Sequence, residues 1–283
     1  MQVAELFQLI TLIKILVSIA VVVLLSILAE VVSPRFAGVI SAYPLGAAIS
    51  LFFFGFEISP EFAAASAVYT MVGLIATQTF AYTYYQASIW ARNWSKLANI
   101  FFSSLTGVFC YFLVAAALRL VKLHMAVAIL LPTISIVLFI FLFRKIQNVK
   151  IQKRVSLKPQ ILLLRSLTAA FFIVIITSTA KLVGTRWAGL FSAFPITMLP
   201  FVMIIHFTYD PEHVYAILKN VPKGIGSLVV YSLAVALLYP TSGIYLGTIL
   251  AYVLATLYLL IIHFNVSTPW LASLFQSKAP GRR

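Results

Sequence analysis

One spacing of arginine, glycine, serine and proline occurs twice in this chain. Arg35, Gly38, Ser41 and Pro44 lie in the stretch RFAGVISAYP, and Arg186, Gly189, Ser192 and Pro195 lie in RWAGLFSAFP, with six of ten positions identical. The guanidinium heading each stretch suits capture of an anion, although an arginine at a helix end also snorkels to lipid phosphate. Ala37 and Gly38 with Ser41 and Ala42, and Ala188 and Gly189 with Ser192 and Ala193, place small residues four apart, which lets another helix approach closely. Each proline lacks an N–H and pushes away the carbonyl four residues earlier, Ile40 or Phe191, which leaves polar backbone at depth in an apolar run. Such backbone is tolerated where it packs on protein or lines a watery cavity. The arginine, glycine, serine and proline of both stretches form the candidate substrate-binding set, and a packed kink is the plain alternative.

A second set suits ion coupling. Lys14 and Arg165 sit at matched positions, and an unpaired Lys14 in hydrocarbon would cost about 2.5 to 3.5 kcal/mol, so it must face protein or water. Glu5, Glu30 and Lys181 lie nearer the ends of apolar runs, where they can pair or stay solvated. His206 carries an imidazole that titrates near neutrality and suits a proton relay. His206, Asp210, Glu212 and His213 invite a metal reading, but Pro211 divides their spacing and no metal site is expected. Ser59-Pro60-Glu61 and Asp210-Pro211-Glu212 read as helix starts: a side-chain cap, proline in the first turn and an acid near the positive end.

The elements that must position these groups follow from composition. Only 9% of residues are charged against 63% hydrophobic, whereas soluble domains are about 25% charged. This predicts a single all-α, polytopic membrane domain. Apolar runs long enough to cross a bilayer cover 6–29, 36–56, 62–85, 97–118, 125–143, 160–180 and 187–207. A longer tract, 224–262, must be broken at Pro240-Thr-Ser-Gly243 into two spans, the earlier of which starts near Glu212 and is kinked by Pro222. Residues 1–30 lack a basic leading region and a convincing cleavage site, so they are taken as the first of about nine spans. Cys110, the lone cysteine, lies in an apolar run and reads as packing.

Charge orients the spans. The connection from Arg144 to Arg165 is the most basic one, so the positive-inside rule puts it in the cytoplasm, against the anionic leaflet. Nine spans then place fifteen of the 20 Lys/Arg on the inner side and only Arg119, Lys122, Lys181 and Arg186 outside. The expectation is a cell (inner or plasma) membrane protein with its N-terminus out and its C-terminus in. The formal charge of +14 reports orientation and lipid contact, with no nucleic-acid partner expected.

The two proline stretches are offset by 151 residues. Without a gap, the same offset pairs Lys14 with Arg165, Ala29 with Ala180, Pro60-Glu61 with Pro211-Glu212, and Gly73 with Gly224. The reading is an inverted 4+1+4 repeat: residues 1–121, a linker span with its basic loop at 122–158, and residues 159–283. Inverted repeats are a common plan of secondary transporters, with substrate held near the midplane.

Read alone, the second half resembles the small four-helix GlpM membrane proteins, through Ala188-Gly-Leu-Phe-Ser-Ala-Phe-Pro195, His206 and three further spans. The first half carries the same signature at Ala37-Gly38 and Tyr43-Pro44 but has Gly55 where the second has His206. The resemblance implies a fused, inverted pair of GlpM-like units; it implies little chemistry.

No phosphate-cradling glycine loop, nucleophile elbow or catalytic carboxylate pair occurs, so neither an enzyme nor a cofactor is expected. The functional expectation is a secondary transporter or flippase for a small or lipid-linked anion. The alternative is a non-transporting scaffold or regulatory subunit of an envelope-associated complex.

Overall fold

The computed structural model describes residues 9, 11–20, 23, 44–146, 159–209 and 211–266. Arg35, Gly38, Ser41 and Asp210 lie outside them. Every element among the described residues is helical: α1 Thr11–Ala20, α2 Leu45–Glu57, α3 Pro60–Trp90, α4 Lys96–Arg119, α5 Met125–Leu142, α6 Pro159–Ser192, α7 Met198–Thr208, α8 Pro211–Leu218 and α9 Val221–Val266. Within these, five segments are long and apolar enough to cross a membrane: Pro60–Trp90, Lys96–Arg119, Met125–Leu142, Ser166–Ser192 and Val221–Ile261. Leu105, Val137, Leu182 and Ile249 are exposed on such segments, as suits helices bathed in lipid rather than water.

At 46 residues, α9 drawn straight would run roughly 69 Å, far beyond the ~30 Å hydrocarbon core. It does not run straight. Gly243 has φ 74° and ψ 170°, a conformation essentially reserved for glycine, and the chain reverses there. Tyr239 Oη then lies 2.7 Å from Thr248 Oγ1, the Tyr231 and Tyr252 rings are 4.9 Å apart, and Gly226 makes room for the Tyr258 hydroxyl. These contacts pair two antiparallel halves. Gly184 repeats the same angles inside α6, and Phe172 meets Phe194 across that reversal, ring centroids 5.6 Å apart. A Cβ added at either glycine would touch nothing within 4 Å, so backbone conformation alone selects glycine there. Gly243→Ala is expected to destabilise the fold by about 1 to 3 kcal/mol, read as a lowered midpoint in reversible SDS unfolding.

The helix at the centre is α3. Two thirds of its apolar window is buried, against a third or less for the other four spanning segments, although its mean hydropathy is the lowest of the five. Ser66, Thr70, Thr77, Gln78 and Ser88 are its buried polar residues, and α2, α4, α5, α6 and α9 all pack on it. Its start is capped as the sequence predicts, with Phe62 N donating to Ser59 Oγ at 3.1 Å, Pro60 in the first turn and Glu61 behind it.

Three expectations need correction. The run 187–207 is not a continuous span: helix α6 stops at Ser192 and α7 begins at Met198. Pro222 kinks nothing, because a turn at Lys219 and Asn220 already separates α8 from α9 and leaves Pro222 in the first turn of α9, where a missing N–H is harmless. Within 240–243 the reversal belongs to Gly243, while Pro240 stays helical.

Candidate substrate cavity between two broken helices

Proline decides where α2 and α7 begin. Pro44 is the N-cap of α2, with φ −72° and ψ 58°, and Thr197 follows Pro195 as the N-cap of α7; neither helix start has a side-chain cap. The two starts are built alike. Ala48 N donates to Pro44 O at 3.1 Å, and Leu199 N donates to Pro195 O at 2.9 Å, the same bond displaced by 151 residues. Helices of 13 and 11 residues reach only ~20 and ~17 Å, so each is a half-helix that starts inside the protein.

Both starts border one cavity of about 50 Å³, walled by Leu45, Gly46 and Ala47 on one side and by Ser192 to Met198 on the other. Thr77 and Leu74 of α3 and Val221, Ile225 and Leu228 of α9 complete the lining. Residues 151 apart face it in pairs: Leu45 with Ile196, Gly46 with Thr197, Ala47 with Met198, Leu74 with Ile225, and Thr77 with Leu228. A cavity needs ~10 to 15 Å³ on this measure to admit a water, so this one has room for a few water-sized groups.

The broken backbone between α6 and α7 is satisfied from the side. Thr77 Oγ1 donates to Ala193 O at 2.6 Å, Tyr111 Oη donates to Leu190 O, and Ser192 Oγ lies 2.6 Å from Thr70 Oγ1. The carbonyl of Phe191, expected to be left exposed, instead accepts from Phe194 N at 3.0 Å. A short turn tightened by Pro195 therefore replaces the helical bond that proline removes.

The candidate residues divide in space. Ser192 and Pro195 are buried in the cavity lining, and Pro44 is buried one residue before that lining begins at Leu45. Gly189 lies away from it, against α3, where an added Cβ would overlap the Ser66 carbonyl oxygen. Arg186 is also outside the cavity. Its Nη1 donates to Arg119 O at 3.1 Å and its guanidinium lies 5.8 Å from the Tyr69 ring, while Arg119 covers Trp187. A cation at the C-terminal carbonyls of α4 is also favoured by the helix dipole.

Lys14 is 1% exposed and finds a partner that the sequence reading overlooked. Its Nζ is 2.8 Å from both carboxylate oxygens of Glu57, at the end of α2. His206 is buried in the last turn of α7, with Nδ1 2.9 Å from Tyr84 Oη of α3. Arg165 lies on α6, but its side chain is outside the described set. Among the described residues no group of three or more His, Cys, Asp or Glu could hold a metal ion.

Basic groups gather at one end of the bundle. Lys219, beyond α8, donates to Ile146 O just past α5, and burial and then Lys223 hold its ammonium below the usual lysine range.

No protein-family model, curated protein or solved structure matches the chain.

Proposed function

We propose that this protein is a secondary transporter or flippase that moves a small or lipid-linked anion by alternating access. The observation that carries the reading is the meeting of two uncapped half-helix starts, α2 and α7, at one cavity. A helix N-terminus carries about half a positive charge, and at α7, where Leu199 N donates to Pro195 O and Pro200 has no N–H, that partial charge more than free donors is what an anion would meet. Two such N-termini converging on a protein interior favour an anion, and discontinuous helices near the midplane are how secondary transporters build such sites. A volume of a few waters favours a small anion, or only the head of a lipid-linked one, in this state of the protein.

The same reading includes the inverted repeat of GlpM-like units, 1–121 and 159–283 about a linker at 122–158. Shifting α2 by 151 residues gives 196–208, nearly the range of α7. Shifting α3 gives 211–241, filled by α8 and the first half of α9. The paired cavity lining supports a pseudo-two-fold axis through the cavity, so an exchange of the two halves' conformations would open it first to one membrane face and then to the other. In this picture the N-terminus is outside the cell membrane, and the C-terminus and the 144–165 loop are inside.

Binding-induced thermal stabilisation tests the site. The detergent-purified protein is screened with inorganic phosphate, sulfate, short carboxylates and short-chain phosphatidate, alongside Gly46→Leu and Arg186→Ala. At Gly46 a Cβ would meet Ile196 at an ordinary 3.6 Å, so the backbone tolerates the change while the longer side chain fills the cavity. Stabilisation by one anion class, lost in Gly46→Leu, is the expected result. A flat response to every anion, with Gly46→Leu no different, would move the assignment to a membrane scaffold.

A further inference from the structure

We infer that His206 is the proton-binding group that couples transport to a proton gradient, acting through α7 as a rigid lever. The inference rests on the alternating-access reading and names its coupling ion. One 11-residue helix carries the cavity at its first residue, Met198, and His206 in its last turn. Both ends are joints, because the segment from Ala193 to Thr197 is non-helical and Tyr209 closes the helix in extended backbone at φ −122°, ψ −177°. What binds at one end therefore acts on the other without passing through a continuous transmembrane helix.

At the lever's far end, in a buried setting, His206 Nδ1 lies 2.9 Å from Tyr84 Oη, with the two rings in edge contact at 6.0 Å. Tyr84 belongs to the central helix α3, near Ser104 of α4, whose buried Oγ has no hydrogen-bond partner among the described residues. With the imidazole neutral and its hydrogen on Nε2, Tyr84 donates to Nδ1. A proton taken from water at Nδ1 reverses this bond: the imidazolium donates to the tyrosine oxygen, and the hydroxyl hydrogen turns to Ser104. The added charge sits at the C-terminal end of α7, which the helix dipole favours, but in an interior that penalises it. Among the described residues, the charged and titratable groups around this pair are Tyr84 itself from α3, Lys96 from α4, and Glu212 and Tyr215 from α8. The position matched to His206 is Gly55, packed against Tyr239 and Ile244, so the proton site exists in one half only. A one-sided site has different surroundings in the two exchanged conformations, and a difference in proton affinity between them is what a coupling ion needs.

The test reads cavity opening rather than substrate. In a Cys110→Ser background, Thr197→Cys places a thiol on the cavity wall, and its labelling by a membrane-impermeant thiol reagent is timed in proteoliposomes between pH 5.5 and 8.5. Dividing each rate by that of the His206→Gln protein at the same pH cancels the thiol's own titration. The expected ratio changes with pH by on the order of fivefold or more, the low end of ordinary coupling between sites, and Tyr84→Phe moves its midpoint. If His206→Gln does not fold, the profile with and without Tyr84→Phe supplies the same comparison. Labelling that proceeds but with a flat ratio, unmoved by Tyr84→Phe, overturns the proton assignment and leaves alternating access standing. A thiol that never labels at any pH overturns both.

Discussion

Glu57→Gln is expected to destabilise the protein by ~3 kcal/mol or more, and by clearly more than Lys14→Met. The asymmetry follows from where the two charges sit. Lys14 is 1% exposed and Glu57 19% exposed, so a carboxylate left alone can still reach water near the end of α2. Among the described residues, an ammonium left alone keeps the Phe53 ring, 5.7 Å away. Leaving one partner of a buried ion pair uncompensated costs about 3 to 5 kcal/mol, and a lysine at the centre of a membrane helix about 2.5 to 3.5 kcal/mol; the two scales agree near 3. Removing both charges together should recover most of the loss. Reversible SDS unfolding of wild type, both single variants and Lys14→Met/Glu57→Gln measures the coupling. Additive single effects would mean the pair does no joint work. The pair also ties α1 to the half-helix α2, so the same variants should loosen one wall of the cavity.

Gly189→Val is expected to cost about 3 kcal/mol or more, whereas Gly46→Ala should be nearly neutral. At Gly189 the obstacle is the backbone oxygen of Ser66, with Tyr69 Cβ beside it; two helical backbones cannot yield as a flexible side chain does. The last turns of α6 must back away from α3, an overpacking cost of ~1 to 3 kcal/mol. That movement stretches the Thr70–Ser192 and Thr77–Ala193 bonds, each worth about 0.5 to 1.5 kcal/mol. A Gly189→Val protein unfolding at the wild-type SDS concentration would show that the two helices are not in such close contact.

Much of this architecture can be read from residue order, because hydropathy marks the lipid-facing surface directly. The run at 97–118 lies within α4 with one residue to spare at each end, and 125–143 overlaps α5 almost completely. The two proline interruptions were legible for a local reason: proline removes a donor wherever it stands. Yet Pro132 sits inside α5 without ending it, so proline marks a possible break and packing decides which one is used. Packing was also what hid the rest. Glu57 was not singled out as a partner of Lys14, because nothing local links it to a lysine 43 residues earlier. The hydroxyls of Thr77 and Tyr111 that hold the α6–α7 break carry no signature of their own, since threonine in a membrane helix can always bond its own backbone, as Thr77 also does toward Gly73. Gly189 was read both as a small residue that admits a close helix and as one of the substrate-binding set, and its missing Cβ is what lets α6 approach α3.

The polar centre of α3 sets a problem of timing during synthesis. Gln78 donates to Ser135, 57 residues later in the chain, and Thr70 pairs with Ser192, 122 residues later. At ~5 to 20 residues per second, the second interval lasts roughly 6 to 24 s on the ribosome. For that time the least apolar spanning helix of the five has no tertiary partners for hydroxyls that will end in its interior. It must wait beside the insertion machinery, or lean on its neighbour α4, until α6 has been made. The nascent chain is thus most open to interception by membrane quality control between the emergence of α3 and the completion of the α6 reversal at Gly184.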